Sequence, residues 1–147
     1  MTYNIRPYRN EDEDELIERW FRSTVEGQSF LSQEFWESVK PLIREVYMPM
    51  AETWVAEGDG KILGFISLLD NVIGGLFVDT DQQGKGIGTA LIKHAEKIRP
   101  QPLSVEVFEK NEKARSFYEK CGFSFGEKKL QDESGEVVYI LHQKAIL

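Results

Sequence analysis

Hydrophobic and polar positions along the 147-residue chain follow two periods, and each change of period marks a change of element. A short apolar run around Ile5 predicts a first strand. The acidic run from Glu11 to Glu15 after Asn10 reads as a capped, solvated helix start, because carboxylates are favourable at the positive end of a helix dipole. Leu16, Ile17, Trp20, Phe21 and Thr24 then recur at helical spacing, with Gly27 as a stop. Ser32 is placed to cap a second helix in which Phe35, Val39, Leu42, Ile43 and Val46 share one face. Pro41 lacks an amide donor and predicts a kink or a break there. Large apolar groups crowd the segment from Phe30 to Met50, suited to a core or to the wall of a substrate pocket.

Period two dominates next. Thr53–Glu57 and Lys61–Asp70 predict a hairpin across Gly58, Asp59 and Gly60. A third run, Asn71–Val78, holds Gly74 and Gly75, a composition that marks a bulge or the approach of a ligand to the backbone. A glycine-rich turn leads into a helix with Ile87, Leu91, Ile92, Ala95 and Ile98 on one face, stopped by Pro100 and Pro102. Leu103–Phe108 predicts another strand, and Asn111 caps a helix running to Cys121, with Gly122 as its C-cap. Phe123–Lys129 and Val137–Gln143 form a last hairpin across Ser134 and Gly135. Hairpins interleaved with helical crossovers predict one α/β domain over residues 1–147, of the α+β kind, its mixed sheet covered by helices.

Composition narrows the function classes. With 41% hydrophobic and 29% charged residues the chain is neither disordered nor a disulfide scaffold. Eighteen basic against 25 acidic residues leave a net charge of −7, which disfavours a nucleic-acid partner and mildly favours a cationic one, although acidity serves solubility first. No apolar run is long enough to span a membrane and no apolar signal core opens the sequence, so a soluble cytoplasmic protein is expected. With Cys121 alone and only His94 and His142, neither a disulfide nor a Cys/His zinc site is expected. Monomer and homodimer remain open.

The glycine turn carries the first candidate chemistry. Gln83, Gly84, Lys85, Gly86, Ile87, Gly88 and Thr89 lie between a strand and a helix, where unpaired amides and the helix dipole favour an anion such as phosphate. The spacing fits neither a nucleoside-triphosphate P-loop nor a dinucleotide fingerprint. Gln83-x-x-Gly86-x-Gly88 resembles the coenzyme A pyrophosphate loop of the GCN5-related N-acetyltransferase (GNAT) family. The preceding LFVDTD looks like that family's fourth strand, with Thr80 where a proline is common. A second and more specific motif follows at the family's distance: Asn111, Ala114, Phe117, Tyr118, Gly122 and Phe123, in the pattern N-x-x-A-x-x-F-Y-x-x-x-G-F. The resemblance runs from Trp54 to about Tyr139.

This resemblance implies a sheet with a splayed central strand pair and transfer of an acetyl group from acetyl-CoA to a primary amine of a small molecule or peptide, by direct attack in a ternary complex. An ammonium of pKa ~10 must lose a proton before it attacks, and the departing thiolate gains from an acid. Tyr118 stands at the family's acid position, beside the alternative of a buried aromatic. Glu106 matches the spacing of the base in the ribosomal-protein N-terminal acetyltransferases of this family, beside the alternatives of an exposed strand glutamate and a water chain, with Asp70 and Glu109 as spare candidates. Leu76, Phe77 and Val78 would bond the pantetheine arm and supply an oxyanion donor. Asn111 would cap its helix, touch that arm, or both. Lys110, Lys113 and Lys120 are candidates for the adenosine 3′-phosphate, beside plain solvated positions. Cys121 has no neighbouring His base and reads as packing. Two further functions stay open: a non-catalytic acyl-CoA-binding module, and acetylation of a protein N-terminus or lysine.

Overall fold

Strand pairing in this protein is decided mostly by turns. At the first hairpin Asp59 and Gly60 both adopt positive φ, the twist that joins antiparallel strands in a tight loop. Each later strand then finds its neighbour in the same sheet. The computed structural model describes residues 2–99 and 102–144 and contains β1 (Asn4–Pro7), β2 (Glu52–Gly58), β3 (Lys61–Leu69), β4 (Val72–Val78), β5 (Ser104–Phe108), β6 (Phe123–Gln131) and β7 (Glu136–Gln143). They form one sheet in the order β1-β2-β3-β4-β5-β7-β6. Every pairing is antiparallel except β4 with β5.

Alternation along the strands sends two apolar sets to opposite faces. On one face α1 (Glu13–Gly27) buries Leu16 and Ile17 against Val55, Ile62, Phe65 and Phe77. On the other, α4 (Ile87–Ile98) and α5 (Glu112–Lys120) join Ile87, Leu91, Ile92 and Tyr118 to Ala56, Ile66, Ile73, Val105 and Val107. The α4 face is the one its periodicity predicts. Pro100 lies outside the described residues; the helix ends at Arg99, whose backbone is extended. Among the described residues no helix is long and apolar enough to cross a membrane.

Two expectations for the N-terminal helices change. Asn10 does not cap α1. It opens a short 3-10 turn (Asn10–Asp12), and the Asp12 carboxylate reaches back to accept from the Arg9 amide at 2.8 Å. Nor is the acidic run wholly solvated, because Asp12 is 9% exposed and accepts two hydrogen bonds from Arg6, at 2.8 and 2.9 Å. Arg6 also reaches Glu57. This cluster fixes β1 and the start of α1 against the sheet.

In α2 (Gln33–Leu42) Ser32 caps as expected, accepting from the Phe35 amide at 3.1 Å. Pro41 neither stops nor splits the helix. It sits in its last turn, and the chain continues through a wider π turn (Ile43–Tyr47) into the single turn α3 (Met48–Met50), a form that accommodates a missing amide donor. The expected apolar stripe is not the buried one. Trp36 is the buried residue of α2, while Leu42, Val46, Tyr47 and Met50 stay exposed, because α2 packs mainly on α1.

Between β4 and β5 the pairing stops early. Val72 pairs with Ser104 and Ile73 with Val105, and β4 and β5 then part. On the β3 side Ser67 pairs with Gly75 but Leu68 with Ile73, so Gly74 is the extra residue of a bulge that bends the strand where the gap opens. The sequence places a bulge in this run.

Replacing Asp12 with Ala should lower the unfolding free energy near pH 7 by about 3 kcal/mol, since Arg6 loses a partner in a buried site. Hydrogen bonds from Arg6 hold the Asp12 carboxyl below its ordinary value. That stability is present above the unfolded carboxyl pKa of ~3.9 and fades as pH falls below it. Urea unfolding at pH 7 and at stepwise lower pH should therefore show the two proteins converging in acid.

Candidate active site

The parting of β4 from β5 opens a cleft of about 440 Å³. One wall is strand: Leu76, Phe77 and Val78 of β4. These residues pair with β3 through Ile66, Phe65 and Gly64, which leaves the opposite edge of their backbone without a strand partner. The Val78 carbonyl is satisfied by the Gln83 carboxamide at 3.1 Å.

At one end the cleft meets the start of α4. Gly84 and Gly86 have φ of +81° and +84°, and a Cβ at either would meet nothing within 4 Å. They are needed for backbone conformation, and the space above them is free for a ligand. Gly86 is the N-cap, and no side chain caps this helix. The first amides of α4, Ile87 to Thr89, therefore face the cleft with the positive end of the helix dipole behind them. Gly88 serves a different purpose: a Cβ there would lie 3.0 Å from Phe117 Cζ, so the glycine lets α5 pack against α4.

α5 supplies the facing wall. Asn111 caps it, its side-chain oxygen accepting from the Ala114 amide at 3.1 Å, and it also lines the cleft together with Lys113, Ala114, Phe117 and Tyr118. Tyr118 is only 5% exposed. Its ring meets those of Phe117 and Phe123 edge-on, and burial pushes its phenol well above the ordinary value. A group so placed keeps its proton through the neutral range. Cys121 is free, and burial pushes its thiol up, as befits a packing residue rather than a nucleophile.

Of the residues singled out from the sequence, the structure gathers Leu76, Phe77, Val78, Gln83, Gly84, Gly86, Ile87, Gly88, Thr89, Asn111, Lys113, Ala114, Phe117 and Tyr118 around this one cleft. Lys85, Glu106, Asp70, Glu109, Lys110 and Lys120 are outside its lining. Lys85 donates to the Gln82 side chain at 3.3 Å. The cation in the cleft wall is instead Lys113, which donates to Gln83 at 2.6 Å. Glu106 does not line the cleft either. Alternation puts Val105 and Val107 in the cluster that holds Tyr118, so Glu106 points to the opposite face, where it pairs with Lys129 at 3.3 Å and accepts from Gln131 at 3.4 Å.

Sequence reasoning missed a further wall. Ser23, Thr24, Gly27 and Gln28 of the last turns of α1 also line the cleft. The signal was a run of small and polar residues ending an otherwise amphipathic helix, which reads equally well as fraying. Beyond them in the chain lies an aromatic group: Phe30 meets Phe108 with ring centroids 5.3 Å apart, and Trp36 meets Phe108 at 6.2 Å.

Known proteins carry this architecture. The acetyltransferase (GNAT) domain matches residues 49–125. Peptidyl-lysine N-acetyltransferase YiaC of Escherichia coli strain K12 is 33% identical over 138 residues, covering 93% of this chain and 94% of that protein. YjaB of the same strain, also a peptidyl-lysine N-acetyltransferase, is 34% identical over 143 residues, covering 97% and 96%. The solution structure of apo YjaB superposes with a TM-score of 0.87 over 99% of this chain and all of that one, at 32% identity. The Thermoplasma acidophilum PaiA N-acetyltransferase, solved in complex with coenzyme A, gives 0.82 over 98% and 99%, at 25% identity. A strand pair that parts beside an uncapped glycine-led helix, in a chain so close to these enzymes over nearly its whole length, makes this protein a member of the GNAT family and an acetyl-CoA-dependent N-acetyltransferase.

Proposed function

We propose that acetyl-CoA occupies the cleft between β4 and α5, and that the acetyl group passes to a lysine side chain of a peptide or protein. The observation that carries the first half is the free backbone. The amides of Ile87, Gly88 and Thr89 suit the pyrophosphate, and the unpaired edge of Leu76, Phe77 and Val78 suits the amide-bearing pantetheine arm as an added strand would. Asn111 and Lys113 stand at the same wall, Lys113 within reach of a phosphate once it leaves Gln83. The acceptor half rests on YiaC and YjaB, peptidyl-lysine N-acetyltransferases to which this chain is about one-third identical.

The chemistry follows from these positions. The neutral amine attacks the thioester carbonyl, whose developing oxyanion is within the range of a β4 amide. The C–S bond breaks as the tetrahedral species collapses, and Tyr118 delivers its proton to the thiolate sulfur. The amine's own proton goes to water in the open mouth of the cleft. We favour water over Glu106, which is not in the cleft lining and pairs with Lys129 at 3.3 Å.

Three results are expected. Tyr118→Phe should lower kcat at least tenfold while acetyl-CoA affinity stays within about threefold, whereas Glu106→Gln should change kcat/KM by less than about threefold. A large loss in the Glu106 variant would restore that carboxylate as the base. Thr89→Glu places a carboxylate at a helix N-terminus, where it suits the dipole, yet in the path of the pyrophosphate. Calorimetric titration with acetyl-CoA should show micromolar binding by the unchanged protein and at least a hundredfold loss in this variant, with no drop in melting temperature. For the acceptor, mass spectrometry of an Nα-blocked peptide with one internal lysine should find acetyl on that side chain, while acetylation confined to free α-amines would replace lysine with a chain N-terminus.

A further inference from the structure

Asp79 follows the last residue of β4 and leads into the glycine turn, and it is 3% exposed. Its main chain is fixed without help from its side chain: the amide donates to the Leu63 carbonyl at 2.8 Å, and its own carbonyl accepts from the Gln82 amide at 2.8 Å. The carboxylate is therefore free for another task. Both of its oxygens accept from α1, one from Arg19 Nη1 and the other from Arg22 Nη2. These arginines are three residues apart, on one face of the helix.

The tie extends along the turn. Thr80 donates to Glu26 at 3.0 Å, and its hydroxyl meets that of Ser23 at 3.2 Å. The two guanidiniums exceed the single Asp79 charge, and the surplus is balanced by Glu15 on Arg19 at 2.9 Å and Asp81 near Arg22 at 3.9 Å. One turn further on, α1 contributes Ser23, Thr24, Gly27 and Gln28 to the cleft. The same short stretch of helix thus grips the turn at one point and forms a wall of the cleft at the next.

We propose that Asp79, Arg19 and Arg22 are positioning residues that lock the α1 wall of the cleft to the glycine turn, so that ordering of the turn by acetyl-CoA also orders α1. The inference rests on the placing of acetyl-CoA at that turn. Its consequence for the reaction is geometric: the wall and the thioester share one frame, and a displacement of about 1 Å between reacting groups costs roughly a hundredfold in rate. Both Asp79 oxygens accept from charged donors, and such charge-assisted bonds are stronger than neutral ones, so the contact between turn and helix is stiff.

Hydrogen exchange read by mass spectrometry, with and without acetyl-CoA, tests the lock without needing the acceptor. In the unchanged protein, acetyl-CoA should slow exchange at least fivefold both at residues 83–89 and at residues 23–28. Asp79→Asn keeps the shape of the side chain and the main-chain bonds to β3. It should bind acetyl-CoA within about threefold and keep protection over 83–89, but lose most of the ligand-induced protection over 23–28. Equal protection of α1 in both proteins would overturn the proposal. A tie that served folding alone would speed exchange of α1 equally with and without acetyl-CoA and leave the ratio unchanged, which also overturns it. Should Asp79→Asn not fold, Arg22→Met, whose parent side chain is half exposed, carries the same pair of outcomes. Absence of acetyl-CoA binding by the unchanged protein would instead refute the cofactor site, and the lock with it.

Discussion

Backbone amides and carbonyls must find partners, and between β4 and β5 they do not find each other. Two residue pairs hold the strands together before they diverge, and the bulge at Gly74 bends β4 at that point. An open strand edge in the middle of a sheet is costly unless something completes it. Sheet order makes the position stranger still, since this is the one parallel junction in the sheet. Each further feature of the cleft takes its place from that gap. α4 starts at the end of β4, so its free amides lie at the mouth. α5 follows β5 after a short turn, so Tyr118 arrives on the opposite wall.

Electrostatics at the cleft run against the chain's overall sign. Net charge is −7, and between Asn10 and Met50 ten carboxylates face only four basic side chains. An anion entering the cleft is therefore served by dipoles fixed in the main chain and by Lys113, rather than by a basic surface. Such dipoles need no reorganisation when the ligand arrives. The acidic helical layer remains compatible with an amine acceptor, whose charge it attracts over long range.

Much of this was legible in the sequence because local chemistry dictated it. Asp59-Gly60 could only be a tight turn, Ser32 and Asn111 are caps by side chain, and Gly74 marked the bulge. The motifs around Gly86 and Tyr118, with the strand before them, located fourteen residues of the cleft wall. What the sequence did not reveal depended on partners distant in sequence. Glu106 stands outside the cleft lining, since its direction depends on which face of β5 meets α5, and there it pairs with Lys129 of a strand that sequence alone does not bring to it. Asp12 looked like a solvent-facing member of an acidic run until Arg6 of β1 was brought alongside. The stripe on α2 was periodic enough for a core, yet α1 already covers the sheet there. The α1 wall carried no motif, since small and polar residues become a binding surface only through what stands opposite.

The most direct test of the account is a titration of the isotopically labelled protein with acetyl-CoA followed by amide NMR. Binding in the gap between β4 and β5 predicts that the largest shifts fall on the amides of Leu76 to Val78 and Gly86 to Thr89, on both sides of one cleft. Saturable binding that leaves those amides unmoved and shifts others would contradict it.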